Sequence, residues 1–100
     1  MKLLTVAATL LALTASPAFA NLELAKKNAC MACHAVDKKV VGPAYQDVAK
    51  KYAGKSADEL AKSIQAGGSG KWGPVPMPAQ AALSEADAKT LAAWILGGAK

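Results

Sequence analysis

The chain has 100 residues, 53% of them hydrophobic, with 12 lysines, no arginine, 7 carboxylates and a formal charge of +5. This is one small domain, and its mild lysine-only excess excludes a nucleic-acid interface, which would want a denser basic stripe with arginine forks for phosphate. Two cysteines and one histidine fall short of the four ligands of a structural zinc site.

Lys2 precedes an apolar run over residues 3–15, and Ser16-Pro17-Ala18-Phe19-Ala20 places small residues where a signal peptidase reads them. The pattern predicts a secretory signal over residues 1–20, cleaved after Ala20, and a domain over 21–100. The run is shorter than the roughly 20 residues of a membrane helix, so no membrane span is expected after cleavage. Position 21 is not cysteine, and a lipoprotein anchor is not indicated. Loss of Lys2 leaves 11 lysines against 7 carboxylates, a formal +4. Lys26-Lys27, Lys38-Lys39 and Lys50-Lys51 read first as solvated surface and second as a patch that steers an acidic partner.

Asn21 is expected to cap a first helix, with Glu23 in its first turn and Leu22, Ala25 and Ala29 as its apolar stripe. That helix leads into Cys30-Met31-Ala32-Cys33-His34. A Cys-x-x-Cys-His run is the attachment signature of a c-type haem: both thiols add to porphyrin vinyl groups, and the histidine binds iron. On a helix, Cys30, Cys33 and His34 are spaced so that all three address one flat object. A thioredoxin-like redox pair would want a βαβ pattern around it, which is not visible. A disulfide between residues three apart closes too short a loop to stabilise a small domain much. Covalent haem would supply the staple that a domain of this size needs. Export agrees with this reading, because the bacterial periplasm is where haem attachment is expected.

Residues 35–42 read as a loop ended by Gly42-Pro43. A second helix follows, with Tyr45, Val48, Ala49 and Tyr52 on one side and Gly54 as its stop. Ser56 and Glu59 form a capping box for a third, with Leu60, Ala61 and Ile64 buried and Gly67-Gly68 as its end. Residues 67–78 hold glycines, Trp72 and three prolines, a composition and length that mark a functional loop. Ser84 and Asp87 cap a last helix with Ala88, Leu91, Ala92 and Ile95 inward, Trp94 flanking that stripe, and Gly97-Gly98 after it. No stretch alternates with period two, so the fold class is all-α, four short helices without a sheet.

If His34 takes one axial position of the iron, the other candidates can be enumerated. There is no second histidine, Met1 leaves with the signal, and Met31 sits inside the attachment motif, which leaves Met77. Methionine is usually core filling. Between Pro76 and Pro78, however, its backbone is stiffened and it has no helix face to pack. Trp72 reads as a large side chain covering the haem edge.

The chain from Asn21 to Lys100 resembles a small class I cytochrome c of the bacterial c-551/c-552 group at CMACHA (30–35), VGPAYQDVAKKYAG (41–54), GSGKWGPVPMP (68–78) and AAWIL (92–96). The resemblance implies a cytochrome c fold around one covalent haem c, His34 and Met77 as axial ligands, and soluble periplasmic electron transfer; size and role favour a monomer. It also implies that the Pro43 carbonyl accepts a hydrogen bond from His34, that the Trp72 indole donates to a haem propionate, and that Gln80 donates to the methionine sulfur. Relatives often carry a basic residue where this chain has Ser63, so the propionate environment should differ here.

A carrier with both axial positions filled performs no bond-making chemistry. The partners to expect are redox proteins, a quinol-linked donor and a terminal oxidase or nitrite reductase, steered to an acidic docking surface by Lys26, Lys27, Lys38 or Lys71. Two other classes compete. A haem peroxidase or ligand binder would need Met77 off the iron, and the chain has no distal histidine or arginine to activate peroxide. A haem-free helical module would use Cys30 and Cys33 as a redox switch. An absorption spectrum of the protein from its native source separates the three.

Overall fold

The computed structural model describes residues 17–100, of which 17–20 are described in backbone only. The apolar run of the expected signal lies outside the described residues. Four α-helices follow in order: α1 (Pro17–Lys27), α2 (Tyr45–Lys51), α3 (Ala57–Ala66) and α4 (Glu85–Leu96), with a single 3₁₀ turn, Cys30–Ala32, between α1 and α2. Among the described residues there is no strand, only isolated bridges between His34 and Lys39 and between Gly68 and Met77. No helix among them is long and apolar enough to cross a membrane.

In the full-length chain Asn21 is not the cap of α1, because the described helix spans Pro17–Lys27 and Asn21 lies within it. Glu23 consequently lies mid-helix and pairs with Lys26 at 3.7 Å instead of meeting the helix N-terminus. Nor does α1 run on into the cysteine motif. It ends as Ala29 turns left-handed (φ 61°) and the Asn28 side chain donates to the Leu24 carbonyl at 2.9 Å. Ala29 is therefore exposed, and Ala25, fully buried, is what anchors the helix.

The two serine caps form as the sequence predicts. Ser56 Oγ accepts from the Glu59 amide and Ser84 Oγ from the Asp87 amide, both at 3.1 Å, each satisfying one orphan donor and worth about 1 kcal/mol. Helix α4 packs against α1, α2 and α3 and is the centre of the core. Its predicted stripe, Ala88, Leu91, Ala92 and Ile95, is buried throughout. Trp94 does more than flank that stripe: it is itself buried, and its ring meets Tyr45 of α2 edge-on, centroids 5.5 Å apart. At roughly 1.5–3 kcal/mol per large apolar side chain buried, Leu91, Ile95 and Trp94 make α4 the main source of core stability. On the outside, Lys89 of α4 reaches both Asp58 of α3 and Glu85 of its own helix at 3.5 Å.

Candidate functional site

The 3₁₀ turn and the loop 67–78 border one cavity of about 580 Å³, whose lining includes Cys30, Cys33, His34, Trp72 and Met77, with Leu60, Ile64, Leu91 and Ile95 behind them. Its volume is in the range of cofactor pockets, roughly 300–1,000 Å³. The cysteine motif reaches it through a local turn: the amides of Cys33 and His34 both donate to the Cys30 carbonyl, at 3.2 and 3.0 Å. Neither cysteine is in a disulfide. Cys30 is half-buried and Cys33 exposed, and burial pushes the Cys30 thiol above its ordinary value.

His34 is held on two sides. Its Nδ1 lies 2.8 Å from the Pro43 carbonyl oxygen, an acceptor that makes Nδ1 the protonated nitrogen and leaves Nε2 with its lone pair for a ligand. Its ring stacks on Tyr45, centroids 5.1 Å apart and planes 20° from parallel. Burial pushes the Tyr45 hydroxyl well above its ordinary value, and the nearby Cys30 adds to this. Gly42 passes so close that a Cβ there would stand 2.5 Å from His34 Cε1. The backbone amides of Val41 and Gly42 donate to the Cys33 carbonyl at 3.1 and 2.7 Å, folding this segment over the motif.

Met77 comes from the other segment. It is half-buried and pairs its backbone with Gly68 in both directions, at 2.8 and 3.0 Å. The loop is tied again at its far end, where the Gln80 amide donates to the Gln65 carbonyl at 2.9 Å and the Gln65 side chain donates to the Leu83 carbonyl at 3.1 Å. The Gln80 side chain donates to the Pro78 carbonyl at 3.1 Å. Trp72 is 37% exposed at the cavity's edge, with the Lys51 ammonium 4.3 Å from its ring centroid. Beside it, Lys71 Nζ donates to the Tyr52 hydroxyl at 2.8 Å. Burial pushes that phenol up, but the hydrogen bond from Lys71 and the positive charge of that ammonium outweigh it, and the net shift is downward.

A haem suits this lining. Two thiols and an oriented imidazole come from one five-residue segment, and a soft thioether comes from another, around an apolar interior. The cytochrome c family model matches residues 22–99. The chain belongs to the cytochrome c family. It is 60% identical over 80 residues to the cytochrome c-552 of Hydrogenobacter thermophilus, covering 78% of this chain and 81% of that one. With the cytochrome c-552 of Nitrosomonas europaea it is 56% identical over 86 residues, 84% of each chain. The crystal structure of wild-type Nitrosomonas europaea cytochrome c552 superimposes with a TM-score of 0.73, covering 76% of this chain and 96% of that one. The protein is thus a small class I c-type cytochrome, a monohaem electron carrier and not an enzyme, with one covalent haem c.

Sequence reasoning overlooked three residues here. Tyr45 and Trp94 carried a signal, since Tyr45 stands on a predicted apolar face and Trp94 flanks one, but nothing in their spacing says that one ring stacks on His34. Gln65 carried none, because its partners lie 15 and 18 residues away.

Proposed function

We propose that the cytochrome is a soluble periplasmic carrier in the respiratory chain, with haem c attached through Cys30 and Cys33 and ligated by His34 and Met77. One observation carries the ligand assignment: the histidine of the attachment motif and a methionine in a doubly tied loop line the same cavity. Haem c, when bound, supplies one reversible electron at its iron. Cys30 and Cys33 fix the group to the chain. Pro43 and Gly42 orient His34, and the hydrogen bond at Nδ1 raises the basicity of Nε2. Met77, a soft ligand, favours the reduced state and raises the potential, and the apolar interior adds to this. His34 and Met77 would together hold the iron and would leave it no open position for a small molecule.

The electron leaves where the cavity meets solvent. Val41, Trp72 and Val75 line it and are each more than a third exposed, and Val40 adjoins them. Lys38, Lys39, Lys51 and Lys71 are exposed on or beside the same segments. An apolar edge with lysines around it suits a brief encounter with an acidic partner through a small interface, under roughly 1,200 Å². A quinol-linked donor and a terminal oxidase or nitrite reductase are the partners this role requires.

The test is the Met77→Ala variant. It should lose the weak red charge-transfer band of thioether-ligated ferric haem, bind added imidazole, and shift to a lower potential. A retained band would assign the axial position elsewhere. Cleavage after Ala20 is checked by the N-terminal sequence of the exported protein, which should begin at Asn21.

A further inference from the structure

The cavity mouth holds a polar cluster that the ligand assignment does not use. Lys71 of the loop, Tyr52 just after α2 and Ser63 of α3 come from separate parts of the chain, and all three line the cavity. Lys71 Nζ donates to the Tyr52 hydroxyl at 2.8 Å, Tyr52 donates to Ser63 Oγ at 3.4 Å, and the ammonium stands 4.7 Å from the Tyr52 ring centroid. The backbone that presents Lys71 is itself pinned, because Lys51 Nζ donates to the Lys71 carbonyl at 2.8 Å.

The donor inventory of this cluster exceeds its acceptors. An ammonium has three hydrogens and Tyr52 takes one. The Tyr52 proton goes to Ser63, whose own hydroxyl hydrogen can turn elsewhere. A cation flanked by a hydroxyl donor on an apolar wall is the chemistry that receives a carboxylate. The charges facing the cluster agree. Lys51 and Lys71 bring positive charge from α2 and the loop. The carboxylate felt at Tyr52 is Glu59 of α3, and it is paired with Lys55 at 3.6 Å. Haem c carries two carboxylates, and the side chain that α3 brings to this cluster, Ser63, is neutral.

We propose that Lys71, held in place by Tyr52, is the cation that binds a carboxylate of the covalent haem at this mouth, with Ser63 as the second donor. The positive charge is supplied from the loop rather than from α3. This rests on the cavity being the seat of the haem.

The experiment is a redox titration of the purified holoprotein at a series of pH values, for the wild type, Lys71→Gln, Lys71→Arg and Tyr52→Phe. Removing an adjacent cation should raise the pH at which the carboxylate ionisation modulates the potential, by about one pH unit for a partly solvated site. Lys71→Arg should keep the wild-type inflection, and Tyr52→Phe, which frees the ammonium without removing it, should move it part of the way. An inflection at the same pH in wild type and Lys71→Gln would overturn the proposal. So would a uniform displacement of the whole curve, the mark of a distant surface charge. The seat of the haem is checked separately: a Cys30→Ala, Cys33→Ala double variant should carry no covalent haem after denaturation, and retained haem would refute the cavity reading itself.

Discussion

Gly68 and Met77 exchange a pair of backbone hydrogen bonds, 3.0 Å from the Gly68 nitrogen to the Met77 oxygen and 2.8 Å in the opposite sense. This makes the end of α3 the clamp for the methionine loop, and the residue before the pair leaves it no slack. Gly67 has φ +66°, and a Cβ added there would meet the Met77 carbonyl oxygen and stand 2.7 Å from Pro78 C and 2.8 Å from Ala79 N, all of them backbone atoms. Backbone cannot step aside as a side chain can.

Gly67→Ala should therefore displace Met77 while leaving the cysteine motif untouched. The expected outcome is a destabilisation of about 1–3 kcal/mol in denaturant titration together with weakening of the red charge-transfer band. Full stability with an unchanged band would show that the loop is seated by its prolines alone.

Gly42→Ala tests how His34 is held. Its Cβ would enter the His34 ring at 2.5 Å from Cε1 and 2.9 Å from Nδ1, forcing the imidazole off the Pro43 carbonyl. A loss of about 1–3 kcal/mol is expected, with a lower potential and an altered ferric spectrum. An unchanged potential would mean that Pro43 does not tune His34.

Ala29 ends α1 in the left-handed region at φ 61°, a conformation that costs a non-glycine residue about 1–2 kcal/mol. Glycine removes that strain but adds chain entropy to the unfolded state, about 0.4–1 kcal/mol. Ala29→Gly should thus gain about 0.5–1 kcal/mol by the difference. Thermal unfolding measures it, and a lowered Tm would contradict the assignment of strain.

Lys89 joins α3 to α4 through Asp58 and Glu85, and those two carboxylates raise its pKa above the ordinary lysine value. For a base whose folded value is raised, the stabilisation is fully present below the unfolded value, about 10.4, and is lost as pH rises through the folded value. Lys89→Gln should therefore lower Tm slightly at neutral pH. The difference should shrink in high salt, because the pair is exposed, and should vanish in strong alkali. A difference that persisted there would have to come from packing rather than charge.

Much of this protein is legible in its residues because the signals are local. The serine caps, the stripe of α4 and the Cys30–His34 motif each depend on neighbours within one or two turns, so spacing alone places them, and with them the all-α class and the covalent haem. The end of α1 is misjudged because its stop depends on Ala29 turning left-handed and on the Asn28 side chain returning to the Leu24 carbonyl, which apolar spacing does not show.

What only the tertiary structure decides is which distant residues meet. That Gly68 and Gln65 tie the loop of Met77, that Tyr45 lies against His34 with Trp94 edge-on behind it, and that Lys71 reaches Tyr52 and Ser63 are all contacts between segments far apart in the chain. No periodicity encodes such contacts. They follow from how α4 packs against the other three helices, and that packing converts a haem-attachment motif into a closed site with an electrostatic edge of its own.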